Sequence, residues 1–258
     1  MATEGLPLKT ILVTGGTGRL GVPTVARLRA AGHEVRVLSR REGPGRVVGD
    51  LGSGRGVREA VAGTQAVVHL ATANGLGAGE AVLMKTVVDA SREVGVPHVI
   101  SVSIVGVDRI PLWYYRQKLE AERELEASGL PHSILRATQF HELVAAAFTA
   151  QRFLPVVVAP RFTMQPIDTR DVSVRLAELV AAEPAGRVAD IGGPEQVPAG
   201  ELARQWADAA SLRRRIIRVS LPGRTFAAFA EGRNLVPGAP YGTTTFSDFL
   251  ASRHGART

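Results

Sequence analysis

Three glycines, Gly15, Gly18 and Gly21, stand at a spacing of three residues near the beginning of the chain. They follow an apolar segment, residues 9–14, and lead into a segment with helical periodicity, residues 19–31. Residues without side chains allow a tight turn and a close approach of the backbone to a pyrophosphate, whose charge a helix N-terminus stabilises. The strand–turn–helix context therefore predicts a site for a dinucleotide phosphate. The residues assigned to it are Gly15, Thr17, Gly18, Arg19, Leu20 and Gly21.

The end of the next predicted strand, residues 34–39, distinguishes the two nicotinamide dinucleotides. An acidic residue there bonds the ribose hydroxyls of NAD(H), whereas an arginine accommodates the 2′-phosphate of NADP(H). The chain has Arg40 at this place, between Ser39 and Arg41, and no acidic residue at the strand end. The sequence favours NADP(H), with Arg40 as phosphate ligand and Ser39 or Arg41 assisting. The alternative is a solvated pair of arginines in an arginine-rich chain.

Tyr114 and Lys118 stand four residues apart in a segment predicted to be helical, residues 113–128. Two side chains at that spacing lie on one face of a helix and can reach the same bound group. The alternative is structural: Trp113, Tyr114 and Tyr115 anchor the beginning of the helix, and Lys118 is exposed. Spacing alone does not decide between the two.

The elements that would position these residues alternate between strands and helices, which is typical of a parallel sheet covered on both faces. We therefore expect an α/β fold, a doubly wound parallel-sheet Rossmann domain of five or six strands over residues 1–140. Residues 141–258 are expected to form a smaller, irregular, substrate-binding portion, partly interleaved with it. The predicted strands are residues 9–14, 34–39, 46–48, 66–71, 98–103 and 133–137, and the predicted helices are 19–31, 56–62, 79–94 and 113–128.

Composition bounds the class of protein. The chain has 258 residues, 45% of them hydrophobic, and no cysteine, which excludes disulfides, thiolate metal sites and cysteine nucleophiles. The N-terminal residues lack the pattern of a secretory signal, and no apolar stretch approaches the roughly 18 residues that span a bilayer. We expect a cytoplasmic protein with a small-molecule substrate and no membrane partner, either a monomer or a homodimer.

The net charge of +7 comes almost entirely from arginine. The densest cluster, Arg213–Arg214–Arg215 with Arg218, is the strongest argument for nucleic acid as a partner. Binding of that kind would require an arginine surface that is aligned with a groove or interleaved with stacking aromatics, and no aromatic residue lies between Trp206 and Phe226. A solvated surface is favoured over nucleic acid, and a surface for a protein partner stays open.

Several segments resemble the short-chain dehydrogenase/reductase superfamily: residues 14–21, the turn Gly49-Asp50-Leu51 and residues 66–71. The run Tyr114-Tyr115-Arg116-Gln117-Lys118, with Glu122 and residues 128–131 and 135–141, is similar to its atypical, NmrA-like branch. The similarity extends from residue 8 to about residue 195. It implies a Rossmann fold and a nicotinamide cofactor over most of the chain.

The resemblance also implies contacts with the cofactor. In such proteins the residue matching Asp50, in the turn with Leu51, contacts the adenine. The segment matching Ala71, Thr72 and Ala73 passes beside the cofactor. Where the chain leaves the last strand of the sheet, it wraps the nicotinamide ring. The residues expected there are Thr138, Gln139 and Phe140.

Tyr114 and Lys118 match the superfamily's Tyr-x-x-x-Lys pair in order and place. The resemblance implies that Lys118 bonds the nicotinamide ribose and that its positive charge activates Tyr114. Tyr114 then serves as general acid while hydride reaches a carbonyl carbon, and Ser103 bonds the substrate oxygen. Some members of the NmrA-like branch lack the tyrosine and act as redox-responsive regulators.

His141 and Glu142 begin what resembles a zinc-binding helix, but Ala145 stands where His-Glu-x-x-His has its second histidine. The sequence therefore predicts no metal site. His141 either faces the substrate pocket, together with Tyr114 and Phe140, or is a capping or surface histidine.

These observations lead to one main hypothesis and two alternatives. The main one is an NADPH-dependent reductase that transfers hydride to a carbonyl, or less favourably to an activated C=C or C=N, of a small apolar molecule. The first alternative is a non-catalytic regulator that reads the redox state of NADP(H). The second is a sugar epimerase or dehydratase, which Arg40 disfavours because those proteins retain NAD.

Overall fold

The computed structural model describes residues 8–73 and 79–254, which divide into two compact units. Unit 1 comprises the described residues up to Ser103, together with Gln117–Leu135 and Ser173–Ala189. Unit 2 comprises Ile104–Arg116, Arg136–Val172 and the described residues from Asp190 onward. Both units are thus built from three separate stretches of chain. A single boundary at residue 140 stays a prediction.

The strands and helices follow the predicted order closely. The strands are β1 Thr10–Thr14, β2 Glu34–Ser39, β3 Arg46–Val48, β4 Ala66–His69, β5 Val99–Ile104, β6 His132–Ala137, β7 Val156–Pro160, β8 Thr163–Met164, β9 Gly186–Arg187, β10 Val197–Pro198 and β11 Arg215–Val219. The helices are α1 Gly21–Ala30, α2 Val57–Val61, α3 Glu80–Val94, α4 Trp113–Ala127, α5 His141–Thr149, α6 Thr169–Ala181, α7 Ala199–Ala209, α8 Arg224–Ala230 and α9 Phe246–His254.

A seven-stranded sheet with the order β3-β2-β1-β4-β5-β6-β9 forms the centre of the fold. The pairs β1–β2, β1–β4, β2–β3, β4–β5 and β6–β9 are all parallel. All four residues of β4 are buried, as expected of a central strand covered on both faces. The predicted doubly wound α/β fold is confirmed, with β9 as a strand beyond the five or six expected.

The strand order reverses at β1, which lies between β2 and β4. In open parallel sheets a ligand binds beyond the carboxyl ends of the strands at such a reversal. The glycine turn follows β1 directly, and the segment after β4 lies beside it. The topology therefore brings together the predicted phosphate turn and residues 71–73.

Unit 2 has small sheets of its own, in which β7 pairs with β11 in parallel and β8 pairs with β10 antiparallel. Helix α7 buries Leu202 and Trp206 in a cluster that also holds Val157 and Phe249. Helix α8 follows Pro222 and Gly223, two residues that are typical of a loop. Its contacts stabilise it against that local composition: within unit 2, Thr225 donates a hydrogen bond to the Pro111 carbonyl at 2.9 Å.

No helix within residues 8–73 and 79–254 combines the length and the apolar character that crossing a bilayer requires.

The Thr14 hydroxyl ties the carboxyl ends of β1 and β4 together. It accepts N–H bonds from Leu70 and Ala71, both at 3.3 Å, and its oxygen lies 2.8 Å from His69 Nδ1. Because the oxygen already accepts two hydrogens, its own hydrogen is left for Nδ1. His69 is then the neutral tautomer with its hydrogen on Nε2. Burial, aided by the charge of Lys118, lowers the pKa of His69 to about 3.

His98 is a second neutral histidine of unit 1. Its Nε2 lies 2.9 Å from the buried Ser133 hydroxyl, which also accepts the Ala185 N–H at 3.2 Å. Burial, followed by the charges of Lys9 and His132, lowers the pKa of His98 to about 4. The folded state therefore holds both His69 and His98 neutral.

We expect acid to destabilise unit 1 before its carboxylates titrate. An unfolded histidine takes up a proton below pH 6.5, whereas folded His69 and His98 resist protonation until about pH 3 and about pH 4. Each of the two histidines therefore lowers the free energy of unfolding by up to about 1.4 kcal/mol per pH unit as the pH falls below 6.5. Urea unfolding between pH 7 and pH 4 measures this loss.

His69→Asn is the matched variant, because its amide oxygen still accepts the Thr14 hydrogen bond but does not titrate. We expect a visibly shallower pH dependence for this variant than for the wild type. Equal slopes for the two proteins would contradict the assignment of His69 as a buried neutral group.

Candidate cofactor and catalytic site

Two glycines of the turn in unit 1 are required by the fold itself, because a side chain at either position would collide with neighbouring backbone. Gly15 has a φ of +66°, and a Cβ there would lie 2.6 Å from the Ala71 nitrogen. A Cβ on Gly21 would collide with the Gly15 carbonyl oxygen. On Gly18, in contrast, a Cβ would meet only the Gly15 oxygen, at 3.2 Å. The space above Gly18 is therefore left for a ligand.

The first turn of α1 is free of competing side chains, although the Val22 N–H donates to the Gly18 carbonyl at 3.0 Å and Pro23 has no N–H. Its N-cap residue, Leu20, makes no capping hydrogen bond, and no acidic residue occurs in the first turn. Thr17, Gly18 and Arg19 are exposed, whereas Leu20 and Gly21 are buried. The positive end of the helix dipole favours an anion at this position. The turn thus fits a pyrophosphate.

The end of β2 presents two exposed arginines. The Ser39 hydroxyl accepts the Arg41 N–H at 3.1 Å, which forms a local turn and leaves Arg40 at its tip. Within the described part of the chain, the Arg40 side chain makes no ion pair or hydrogen bond. A guanidinium in this state has all its donors available for a phosphate.

Asp50 and Leu51, implied to contact the adenine, have other partners here. One carboxylate oxygen of Asp50 accepts the Gly52 N–H at 3.0 Å, and the other accepts the Ser53 hydroxyl at 3.3 Å. Asp50 remains half-buried, so one side of it is open to a ligand. Leu51 packs in the core of unit 1 with Val57 and Val87.

Lys118 is neither exposed nor unpaired. Its ammonium nitrogen lies 2.9 Å from Glu80 Oε2, and the two side chains are only 11% and 2% exposed. The second oxygen of Glu80 accepts the Ala73 N–H at 3.0 Å. Glu80 therefore links Lys118 to the segment 71–73, of which Ala71 and Ala73 are half-buried and Thr72 is exposed.

Ser103 ends the part of β5 that belongs to unit 1. Its side chain is buried, and its hydroxyl has no hydrogen-bond partner within residues 8–73 and 79–254. A buried hydroxyl without a partner carries a desolvation cost that a ligand's oxygen would relieve. This state is compatible with the predicted role of Ser103 in bonding a substrate oxygen.

The remaining predicted residues belong to unit 2. Tyr114 is 36% exposed, whereas its neighbour Tyr115 is buried and its ring packs edge-on against Phe229 at 6.3 Å. Burial raises the pKa of Tyr115, an effect that the neighbouring Gln139 amide opposes. The Gln139 amide atoms are themselves buried and have no partner of full hydrogen-bond geometry within the described residues. Tyr115 is thus a second phenol that the spacing argument did not single out.

Thr138, Phe140 and His141 have structural contacts within unit 2. The Thr138 hydroxyl donates to the Gln165 carbonyl, and the backbone of Phe140 forms an isolated parallel β-bridge with Ile167. His141 is fully buried, and its Nε2 donates to the Thr244 carbonyl at 3.0 Å. Its role as a substrate ligand stays a prediction, and the contacts seen here are those of a packing residue.

Glu80 and His69 are the residues near the site that sequence reasoning missed. Glu80 lies 38 positions before Lys118, so no local spacing connects the two. The signal that existed was an acidic residue at the beginning of a predicted helix, which is also the ordinary place for a dipole-stabilising acid.

Comparison with known proteins agrees with this geometry. The sequence profile of a family described as NAD(P)H-binding matches residues 15–181. The divinyl chlorophyllide a 8-vinyl-reductase of Oryza sativa subsp. indica is 30% identical over 220 residues, which cover 72% of this chain and 54% of that protein. The chain thus spans about half the length of this relative.

Two solved structures share the fold at low sequence identity. The NADPH-dependent quinone oxidoreductase of Escherichia coli, in complex with NADPH, superimposes with a TM-score of 0.79 and 19% identity, covering 94% of this chain and 99% of that one. A nucleoside-diphosphate-sugar epimerase of Staphylococcus aureus superimposes with a TM-score of 0.78 and 17% identity, covering 93% of this chain and 99% of that one. Reductases and epimerases are both built on this fold.

The different surroundings of the glycines predict different outcomes for alanine variants. Gly21→Ala is expected to lower the free energy of unfolding by about 1–3 kcal/mol, because its Cβ meets backbone that must shift. Gly18→Ala is expected to fold normally but to bind NADPH at least about tenfold more weakly, since its methyl group occupies ligand space. Urea unfolding and fluorescence titration with NADPH separate the two effects. Normal NADPH affinity in Gly18→Ala would contradict the assignment of this space.

Proposed function

This chain belongs to the NAD(P)H-binding family, and from that premise we propose that it is an NADPH-dependent reductase acting on a small apolar molecule. The acceptor is a carbonyl group or, less favourably, an activated C=C or C=N bond. The observation that carries the proposal is in unit 1, where an exposed turn at Gly18 follows β1 and where Arg40, which has no partner among the described residues, follows β2. The rice relative, a vinyl-reductase by name, supports reduction and keeps a C=C acceptor in consideration.

The residues divide the chemistry among them. NADPH, when bound, supplies the hydride. The α1 N-terminus and Arg40 hold its phosphates, and Lys118 bonds its ribose with the donors that Glu80 leaves available. Ser103 bonds the substrate oxygen, and Tyr114 donates the proton that this oxygen takes up as the carbon accepts hydride. Apolar side chains of residues 136–172 and 190–254 are the source of substrate selectivity.

A redox-sensing regulator is the second candidate, favoured by two observations. Tyr114 is more exposed than a proton donor in a closed site needs to be, and the charge of Lys118 is already balanced by Glu80. A regulator requires different affinities for NADPH and NADP⁺. Titration with both cofactors, alongside turnover with a panel of ketones, quinones and enones, distinguishes it from a reductase.

Arg40→Ala is expected to weaken NADPH binding roughly 10- to 100-fold, the range of a lost charge-assisted phosphate contact, and to leave NADH affinity almost unchanged. The matched control is Arg58→Ala, which removes an exposed arginine of α2 that is paired with Glu93 of α3. An equal loss for NADPH and NADH in Arg40→Ala would show that the residue does not read the 2′-phosphate.

Tyr114→Phe is expected to keep NADPH affinity and to lose most turnover, on the order of 100-fold or more, because it removes only the proton donor. Lys118→Ala is expected to impair both, because the ribose contact is lost as well. Steady-state kinetics and NADPH titration give the two values. Loss of turnover in Tyr115→Phe with normal turnover in Tyr114→Phe would transfer the role to the buried tyrosine.

A further inference from the structure

We propose that Glu80 is a positioning residue for the cofactor site, which acts through Lys118. This inference rests on the proposed function, in which Lys118 bonds the nicotinamide ribose. It assigns a role to a side chain that belongs to neither the glycine turn nor the Tyr-x-x-x-Lys pair.

Both carboxylate oxygens of Glu80 have partners in unit 1. One accepts the Lys118 ammonium at 2.9 Å, and the other accepts the Ala73 N–H at 3.0 Å. Glu80 is also the first residue of α3, after the N-cap Gly79. Its position is therefore determined by the helix, by the backbone of the β4–α3 connection and by Lys118 together.

The burial of this pair distinguishes it from a surface ion pair. Its side chains are 2% and 11% exposed, whereas Lys85 and Asp89, a pair further along α3, are 60% and 46% exposed. Removing two charges from water carries a large desolvation penalty. Apolar residues at two such positions often stabilise the folded state equally well or better. Stability alone is therefore a weak explanation for this buried pair, and a role of the ammonium in binding is compatible with it.

His69, a second titratable group near Lys118, is neutral. The charge of Lys118 lowers the pKa of His69, so the two groups are close, and His69 is uncharged above about pH 3. Glu122 is also buried, one turn further along α4, whereas the carboxylate 2.9 Å from the ammonium is that of Glu80. Without that carboxylate, a four-carbon side chain with free rotation would lose the partner that fixes its direction.

The geometry leaves Lys118 able to bind a ligand while it is held. An ammonium group has three N–H donors, and the Glu80 carboxylate contacts it from one side only. Ala73 lies in the segment implied to pass beside the cofactor, so one carboxylate fixes both that backbone and the lysine. Glu80 thus presents Lys118 to the ribose hydroxyls in one orientation.

The test is NADPH affinity, measured by fluorescence titration without substrate. Glu80→Gln keeps the size of the side chain and an acceptor for the Ala73 N–H but removes the charge that holds Lys118. We expect NADPH binding about tenfold weaker than in the wild type. Asp89→Asn, which removes the carboxylate of the exposed pair on the same helix, is expected to bind NADPH as the wild type does.

A thermodynamic cycle with Lys118→Met separates positioning from a general structural role. If Glu80 acts through Lys118, adding Glu80→Gln to Lys118→Met changes NADPH affinity less than about twofold. A further loss of affinity in the double variant would overturn the proposal, because it would show that Glu80 acts independently of the lysine. Glu80→Gln and Lys118→Met each leave one buried charge unpaired, whereas the double variant leaves none, so urea unfolding of all three variants accompanies the titration.

Failure of this inference is distinguishable from failure of the proposed function. A wild-type protein that does not bind NADPH contradicts the proposed function itself. A wild-type protein that binds NADPH, with Glu80→Gln binding equally or more tightly, contradicts only the role of Glu80.

Discussion

The close approach of the glycine turn to the end of β4 is the constraint on which unit 1 depends. Gly15 leaves room for the backbone of Leu70 and Ala71, and the Thr14 hydroxyl bonds the same segment and His69. Any side chain at position 15 would push β1 and β4 apart at their carboxyl ends.

Much of this arrangement could be predicted because it is local. The glycine spacing, the apolar run of β1 and the arginine after β2 are each contained in fewer than ten residues, and the structure has them where the sequence indicated. The elements that were missed are those determined by distant contacts. Strands β8 and β10 have two residues each, too few for any alternation, and α8 depends on contacts such as that of Thr225 with Pro111.

The candidate site shows the same division. Helical spacing identified Tyr114 and Lys118 but gave no indication that Lys118 is buried against Glu80, because that pairing requires α3 and α4 to be packed. Nor did spacing distinguish Tyr114 from Tyr115: adjacent residues on a helix point in different directions, and which one is buried depends on Phe229. Residue type can be read from sequence, whereas burial and charge balance require the packed structure.

The division of the chain into interleaved units has a consequence for its synthesis. Unit 1 includes Ser173–Ala189, which supplies β9 and the Val180 carbonyl that accepts a 2.6 Å hydrogen bond from Lys9. A ribosome must therefore translate as far as Ala189 before this unit has all its parts. Until then the edge of β6 has no partner strand, and exposed edges favour association with other chains. The nascent polypeptide thus passes through a period in which shielding by a chaperone would have its greatest effect.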